Sequence, residues 1–496
     1  MRRLLPRIGP RLNWALIVAV AAGVLGTVGI GLLVCFATAL VGRGGEAVAF
    51  GVPGLVALGA GAAGLWWARR LGPVPLRPRD GFVAVTLAWV IAAAAGAVPL
   101  LIAETHGRPL DALFESMAGF TTNGATLLSD VESEPDAVVL WRSIMQWLGG
   151  VGIVVLVVAI APATGLATQR VFHAETTGIT AERLTPRIAE TAKIISAIYA
   201  ALTALALVAF WAAGMSLWDA LNHALTTVAT GGFSTRSGSL GAFDSLPIEL
   251  VAIVFMVAGG VNFAFYWRAL HGPRIWPQAA EVRAYLVILV GASVFVTASL
   301  VIAGDVGGFW ESLRAGAFSA TSIVTSTGFV TDDFDRFNDF ARVVLLLLMF
   351  VGGCAGSTAG GMKVIRVLLL AKTAVHEVQR QLRPTAVQVL RTRGRVYSEE
   401  IRRGVLGFFF IYVTVTVIGA LALLASGLDL VSGVSGAIAT VNIVGLAIGP
   451  LGPTENYAIV SDGGRAVLCV LMLVGRLEVF TVLVLFTPAF WRPSVA

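Results

Sequence analysis

Four short polar stretches share one chemical design: Thr121-Thr122-Asn123-Gly124-Ala125, Ala229-Thr230-Gly231-Gly232-Phe233, Thr325-Ser326-Thr327-Gly328-Phe329 and Asn442-Ile443-Val444-Gly445-Leu446. Each carries a glycine at its fourth position. Glycine lets the backbone turn successive carbonyl oxygens toward one axis, through angles that a Cβ-bearing residue resists. Rings of backbone carbonyls replace the hydration shell of a cation and so discriminate among ions. The candidate ligands are Thr121, Thr122, Asn123, Gly124, Thr230, Gly231, Gly232, Thr325, Ser326, Thr327, Gly328, Asn442, Ile443, Val444 and Gly445. One glycine turn at a helix end is ordinary. Four in register, each after a short semi-apolar stretch, point to a four-fold ring, with the negative ends of four short helix dipoles aimed at an ion path.

A second cluster is Gly352-Gly353-Cys354-Ala355-Gly356-Ser357-Thr358-Ala359-Gly360-Gly361. A helix loses about 1 kcal/mol for each glycine, so this run breaks the span that contains it. A break at mid-membrane is tolerated where it lines a cavity. The functional reading is a flexible gate built from Gly352, Gly353, Gly356, Ser357, Thr358, Gly360 and Gly361, with Lys363 and Arg476 beside it; the bland reading is a close-packing surface. Lys363 is also placed to snorkel to the cytoplasmic surface. Arg476 and Glu478 lie within the last apolar span, where charge is costly and usually functional. Arg476 either faces the cavity and repels cations or pairs with a neighbouring helix. His223, beside Asn222, reads as a packed or hydrogen-bonded residue, with a proton-coupled role as the sharper alternative. The Gly-rich run lacks the GxxxxGK[ST] pattern of a phosphate loop. Cys35, Cys354 and Cys469 have no metal-ligand spacing, and no catalytic constellation is present.

The elements that must hold these residues are membrane helices. Hydrophobic residues make up 57% of the chain and charged ones 13%, against about 25% charged in soluble domains. Ten apolar runs approach the roughly 20 residues needed to cross a bilayer, where backbone groups must bond within their own segment. The first, 14–41, is longer than the signal-peptide core of about 7–15 residues and reads as a retained helix. Between successive later spans lie the stretches 110–120, 218–229, 310–324 and 429–441, too short to cross and read as re-entrant. The expected fold is an all-α polytopic membrane protein with two N-terminal helices (1–80) and four helix–pore-helix–helix repeats around a central pore. The repeats cover 81–165, 190–270, 280–372 and 404–492, with a basic cytoplasmic linker at 373–403. In the third repeat the second helix is expected to be broken; the spans 247–267 and 465–488 read as continuous.

Basic residues set the orientation. Arg2, Arg3, Arg7, Arg11, Arg69, Arg70, Arg77, Arg79, Arg170, Arg183, Arg187 and Lys193 fall on one side, with ten Lys/Arg against three acidic residues from Lys363 to Arg403. Asp130, Glu132, Glu134, Asp136, Asp332, Asp333 and Asp335 fall on the other. Both termini are therefore expected in the cytoplasm, and the net charge of +6 follows from topology and gives no argument for nucleic-acid binding.

These residues resemble the Trk/Ktr/HKT superfamily of potassium transporters, and its TrkH subfamily in particular. The matching stretches are Trp141-Arg142-Ser143 with Gln146-Trp147-Leu148-Gly149-Gly150-Val151-Gly152, Asp219-Ala220-Leu221-Asn222-His223-Ala224, the run from Gly352 to Arg366, and Gly475-Arg476-Leu477-Glu478 continuing to Trp491. The resemblance implies a homodimer with one pore per protomer, resting on a cytosolic ring of RCK-type nucleotide-binding subunits (TrkA-like). It also implies filter glycines at Gly124, Gly232, Gly328 and Gly445, a gating loop at 352–361 and a gate-facing arginine at Arg476. The transported ion is then K+, held at the filter residues, with no organic cofactor. Asn123, Ile443 and Leu446 depart from the family pattern, which bears on the strictness of K+ over Na+.

The expected function is potassium uptake across the inner membrane. The alternatives are a sodium-permeable or sodium/proton-coupled relative and, from another class, a substrate-binding secondary transporter with broken helices at the midplane. Four parallel repeats with few acidic residues at filter depth argue against the last.

Overall fold

The computed structural model describes residues 12–42, 46–70, 78–164, 188–272, 279–382, 391–392, 395–396 and 398–491. Of the basic residues used for orientation, Arg2, Arg3, Arg7, Arg11, Arg77, Arg170, Arg183 and Arg187 lie outside the described residues. So does most of the 383–397 part of the linker.

Two long helices, α1 (Trp14–Val41) and α2 (Ala47–Arg70), pack as a hairpin against the first repeat. Small residues bring their backbones together: a Cβ on Gly29 would come within 2.8 Å of the Leu58 nitrogen, and one on Gly61 within 2.8 Å of the Ala22 carbonyl. Without a hydrophobic drive between helices in lipid, such close approach is what packs them.

The first repeat is α3 (Pro78–Ile102), the short α4 (Pro109–Phe120) and α5 (Asp136–Thr164). The second holds α6 (Ile188–Ala212), the short α7 (Leu217–Val228), α8 (Leu246–Gly259) and α9 (Phe263–His271). The third holds α10 (Ala280–Ala303), the short α11 (Phe309–Val324), α12 (Asp339–Leu348) and α13 (Val364–Leu382). The fourth holds α14 (Glu399–Ala425), the short α15 (Leu430–Val441), α16 (Asp462–Arg476) and α17 (Phe480–Leu483). The short helices start on local signals: Ser216 caps α7 by accepting from the Asp219 amide, and Asp429 caps α15 by accepting from Val431 and Ser432, the usual role of such side chains.

In every repeat the first long helix packs on its own short helix, and the helix after the short one packs on the short helix of the next repeat. Thus α5 meets α7, α8 meets α11, α12 meets α15, and α16 returns to α4. The circle closes, and all four short helices point inward. Accordingly α5 buries 78% of its apolar window, whereas α6 and α10 bury 28% and present residues such as Leu205, Val294 and Phe295 outward. In water such surfaces would be patches needing a partner; in a bilayer they meet acyl chains.

Two spans expected to be continuous are bent. α8 and α9 meet at 90°, and α16 meets the segment starting with α17 at 107°. Among the described residues, then, the inner helices of the second, third and fourth repeats are all interrupted. The first bend occupies Gly260, Val261 and Asn262, where the Asn262 side chain caps α9. The second occupies Leu477 to Val479, with Glu478 and Val479 at φ 56° and 57°. The helix after the Gly-rich run also continues past position 372 to Leu382, into the stretch expected to be linker. A two-residue antiparallel pair (391–392 with 395–396) adds the only strands among the described residues.

Candidate functional site

Each short helix ends in the same turn. The residue two positions before the loop glycine is left-handed: Thr122 (φ 56°), Thr230 (53°), Ser326 (53°) and Ile443 (58°). Its amide and the next one bond back into the helix, as in Thr122 to Gly119 and Asn123 to Ala118, both 2.9 Å. Thr230 and Gly231, Ser326 and Thr327, and Ile443 and Val444 repeat the pattern at 2.9–3.1 Å. This is a Schellman closure, and it consumes helix carbonyls while leaving those of the loop to point elsewhere. β-branched residues rarely adopt positive φ, so three of these four positions hold a conformation their side chains oppose.

The loop glycines Gly124, Gly232, Gly328 and Gly445 follow at φ 77–80°. Each lies against a carbonyl oxygen of the next loop. A Cβ on Gly124 would meet the Gly231 oxygen, on Gly232 that of Thr327, on Gly328 that of Val444, and on Gly445 that of Asn123. The four oxygens and four glycines therefore form one closed ring, in the same order as the helix packing. Above it lies a cavity of about 110 Å³ that all four glycines line, with Arg236, Glu455 and Tyr457 around it.

The loop 352–361 occupies the other end of the ring, between α12 and α13. Its ends are tied by Gly352 N–H to the Met362 carbonyl at 3.0 Å and Val364 N–H to Gly353 at 3.1 Å. A Cβ on Gly352 would overlap the Gly360 carbonyl, so the run packs closely and also breaks the span. Thr358 donates to the Val228 and Gly259 carbonyls at 3.0 and 3.1 Å, and Cys354 N–H donates to Gly260 at 2.8 Å. Gly360 N–H meets the Ser326 hydroxyl, and a Cβ on Gly360 would crowd Asn442 and Ile443. The loop is thereby bonded or packed against three of the four short-helix turns.

Arg476 supplies the link to the first repeat. Its guanidinium donates to the Thr358 carbonyl at 2.8 Å and to the Gly149 carbonyl at 3.0 Å. It is buried, and among the described residues it pairs with no carboxylate. Glu478 instead pairs with Arg366 at 2.5 Å. Among the described residues the ion-pair reading of Arg476 therefore finds no partner, while Glu478 takes part in one. Lys363 does not snorkel: it is buried, and its ammonium turns back to the Ala359 carbonyl of the preceding loop.

Three residues outside the predicted set belong to this site. Glu281, in the first turn of α10, accepts from Ala355 N–H at 2.7 Å and Ile365 N–H at 3.3 Å, holding the 352–361 loop to the start of α13. Its signal was a carboxylate at the start of an apolar span. Gly260 and Asn262 form the second-repeat bend against the loop, with Phe263 N–H donating to Gly356 at 3.2 Å. His223 is buried midway along α7, its ring nitrogens 2.7 Å from the Asp219 carbonyl and 2.9 Å from the Ser234 hydroxyl. Of the departures, Asn123 reaches the Thr440 carbonyl of the fourth short helix at 3.3 Å, and Ile443 is fully buried.

A ring of backbone carbonyls suits the coordination of cations, and a buried guanidinium beneath it opposes their passage. A model of the TrkH family, described as a cation transport protein, matches residues 52–303 and 305–492. The chain belongs to the TrkH family. This is a family of transporters, not of enzymes. Among its curated relatives, the Trk system potassium uptake protein TrkH of Salmonella typhimurium is 39% identical over 458 residues, covering 92% of this chain and 94% of that one. The Trk system potassium uptake protein TrkI of Halomonas elongata is 37% identical over 451 residues, with 90% and 91% covered. The crystal structure of the potassium transporter TrkH from Vibrio parahaemolyticus superimposes with a TM-score of 0.89 at 37% identity, covering 97% of this chain and all of that one.

Behind the ring, Glu115 and Arg142 form a pair buried to 0% and 2% exposure at 2.8 Å. Removing one partner of such a pair leaves a buried charge, at about 3–5 kcal/mol. Glu115→Ala is expected to lower the thermal midpoint of the detergent-purified protein accordingly; an unchanged midpoint would mean that water already reaches Arg142.

Proposed function

We propose that this chain is the potassium-conducting subunit of an uptake system in the inner membrane, with both termini cytoplasmic. K+ sheds its water at the ring of four loops and runs down the membrane potential, which supplies about 2.3 kcal/mol per charge per 100 mV. The 352–361 loop and Arg476 close the path below. The chain assembles as a homodimer with one pore per protomer, on an RCK-type, TrkA-like nucleotide-binding ring. The single observation that carries this reading is the closed circle in which each loop glycine abuts a carbonyl of the next loop. The relatives' printed function, potassium uptake, supports the choice of ion, and the basic cytoplasmic segments support the orientation.

The test is potassium-limited growth of a bacterium stripped of its own potassium uptake, expressing this chain with an RCK partner. Rescue at low potassium is expected. Gly232→Ser is expected to weaken the preference for K+ over Na+, whereas Arg70→Gln on the cytoplasmic end of α2 leaves it intact. Equal effects from the two would overturn the assignment of the ring, and rescue of sodium flux alone would make the chain a sodium-permeable member.

A further inference from the structure

We propose that Gln146, supported by Arg142, is a specificity-determining positioning residue that sets the ring's preference for K+ over Na+. The inference rests on reading the four loops as a filter. Gln146 and Arg142 stand one turn apart on α5, so their side chains share a face. Both reach out of the first repeat onto the second loop.

The Gln146 amide grips that loop on either side of Gly232. Its Nε2 donates to the Gly231 carbonyl at 2.6 Å, and its Oε1 accepts from Phe233 N–H at 3.1 Å. Gln146 is fully buried, and a Cβ on Gly231 would collide with its amide. Beyond the grip, the Arg142 guanidinium lies 4.1 Å over the Phe233 ring. Glu115 at 2.8 Å and Thr126 at 3.1 Å fix it there. Phe233 is thus pinned through its backbone by one side chain and through its ring by the next.

The other ring oxygens differ. Those of Asn123, Thr327 and Val444 occupy the places that Gly231 holds in its own loop, and among the described residues no side chain donates to them. A carbonyl has two lone pairs. The Gly231 oxygen has one committed to Gln146 and its position fixed; its three counterparts have both free. Selection between ions of different size depends on the number, field strength and freedom of the carbonyl dipoles around them. An oxygen tethered from behind cannot follow the shorter contact distance that Na+ demands. The brace therefore penalises the smaller ion at one quarter of the ring, and the sequence asymmetry of the four loops becomes a functional one. Gly231 is accordingly a shared ligand, held by the protein on one side and offered to the ion on the other.

The full-length protein is purified, reconstituted in liposomes and assayed for K+ and Na+ flux. Gln146→Met keeps the length of the side chain and removes the donor; the K+/Na+ flux ratio is expected to fall about tenfold, the effect of one hydrogen bond. Phe233→Leu leaves Gln146 in place and removes the ring under Arg142; a fall of about threefold is expected. Thermal unfolding in K+ against Na+ gives a second reading: the extra stabilisation by K+ in the wild type is expected to shrink in both variants. A wild type without preference for K+ would overturn the filter reading itself. A wild type that prefers K+ with an unchanged ratio in Gln146→Met overturns the brace alone; if that variant does not fold, an unchanged ratio in Phe233→Leu does so.

Discussion

Gly328→Ala is expected to abolish potassium uptake at unchanged membrane expression. The residue sits at φ 77°, where an L side chain costs about 1–2 kcal/mol. The larger effect is geometric. The new methyl group would overlap the Val444 carbonyl oxygen, so the third loop must withdraw or the fourth must rotate its ring oxygen away. Each oxygen in the circle is backed by a glycine of the neighbouring loop, and one displacement therefore opens the ring. Together these amount to about 3 kcal/mol or more, a loss of about a hundredfold in flux. The control is Gly291→Ala on α10, where a Cβ would meet nothing within 4 Å and a helix gains slightly from the exchange. Rubidium uptake into cells at matched expression reads both. Uptake by Gly328→Ala within a few fold of wild type would remove the ring as the ion path.

Arg476→Gln is expected to open a leak. The guanidinium is buried beneath the ring without a carboxylate partner among the described residues, and its hydrogen bonds go to the Thr358 and Gly149 carbonyls. It ties the 352–361 loop to the first repeat, and on the proposed path it also places a positive charge beneath the ring. At about 6 Å and an effective dielectric constant of about 20, one such charge raises the energy of a passing cation by about 3 kcal/mol. Removing it is expected to raise flux in the absence of a cytosolic partner by about a hundredfold, measured in liposomes containing this chain alone. Arg476→Lys separates the two contributions. It keeps the charge and loses one of the two donors' fixed geometry, so its leak should lie well below that of glutamine. Equal leaks in the two variants would assign the effect to the tether, and no leak in either would take Arg476 out of the gate.

The bends in the inner helices show where reading the chain locally stops working. Gly260, Val261 and Asn262 sit in an uninterrupted apolar run, and averaging hydropathy across it conceals three residues. What holds the 90° bend is not local: Cys354 N–H bonds to Gly260, and Phe263 N–H to Gly356. The Gly-rich run at 352–361 was legible because five glycines in ten residues oppose a helix whatever surrounds them. Of the two readings of Lys363, the snorkelling one failed for the same reason as the bends, since the depth of the residue depends on the loop that precedes it.

By itself, the sequence determined the lipid solvent and the all-helical fold class, and it pointed to four repeats and four loop glycines. These follow from the length of apolar runs and from the backbone angles a residue tolerates, both properties of a few neighbouring residues. The tertiary structure alone decided the order of the ring, the carbonyl behind each glycine, the Gln146 grip on the second loop, and the partners of Arg476, which lie 118 and 327 positions away. Such contacts form between repeats. A side chain's type fixes what it can bond, but only the closed circle of helices fixes which carbonyl stands within its reach.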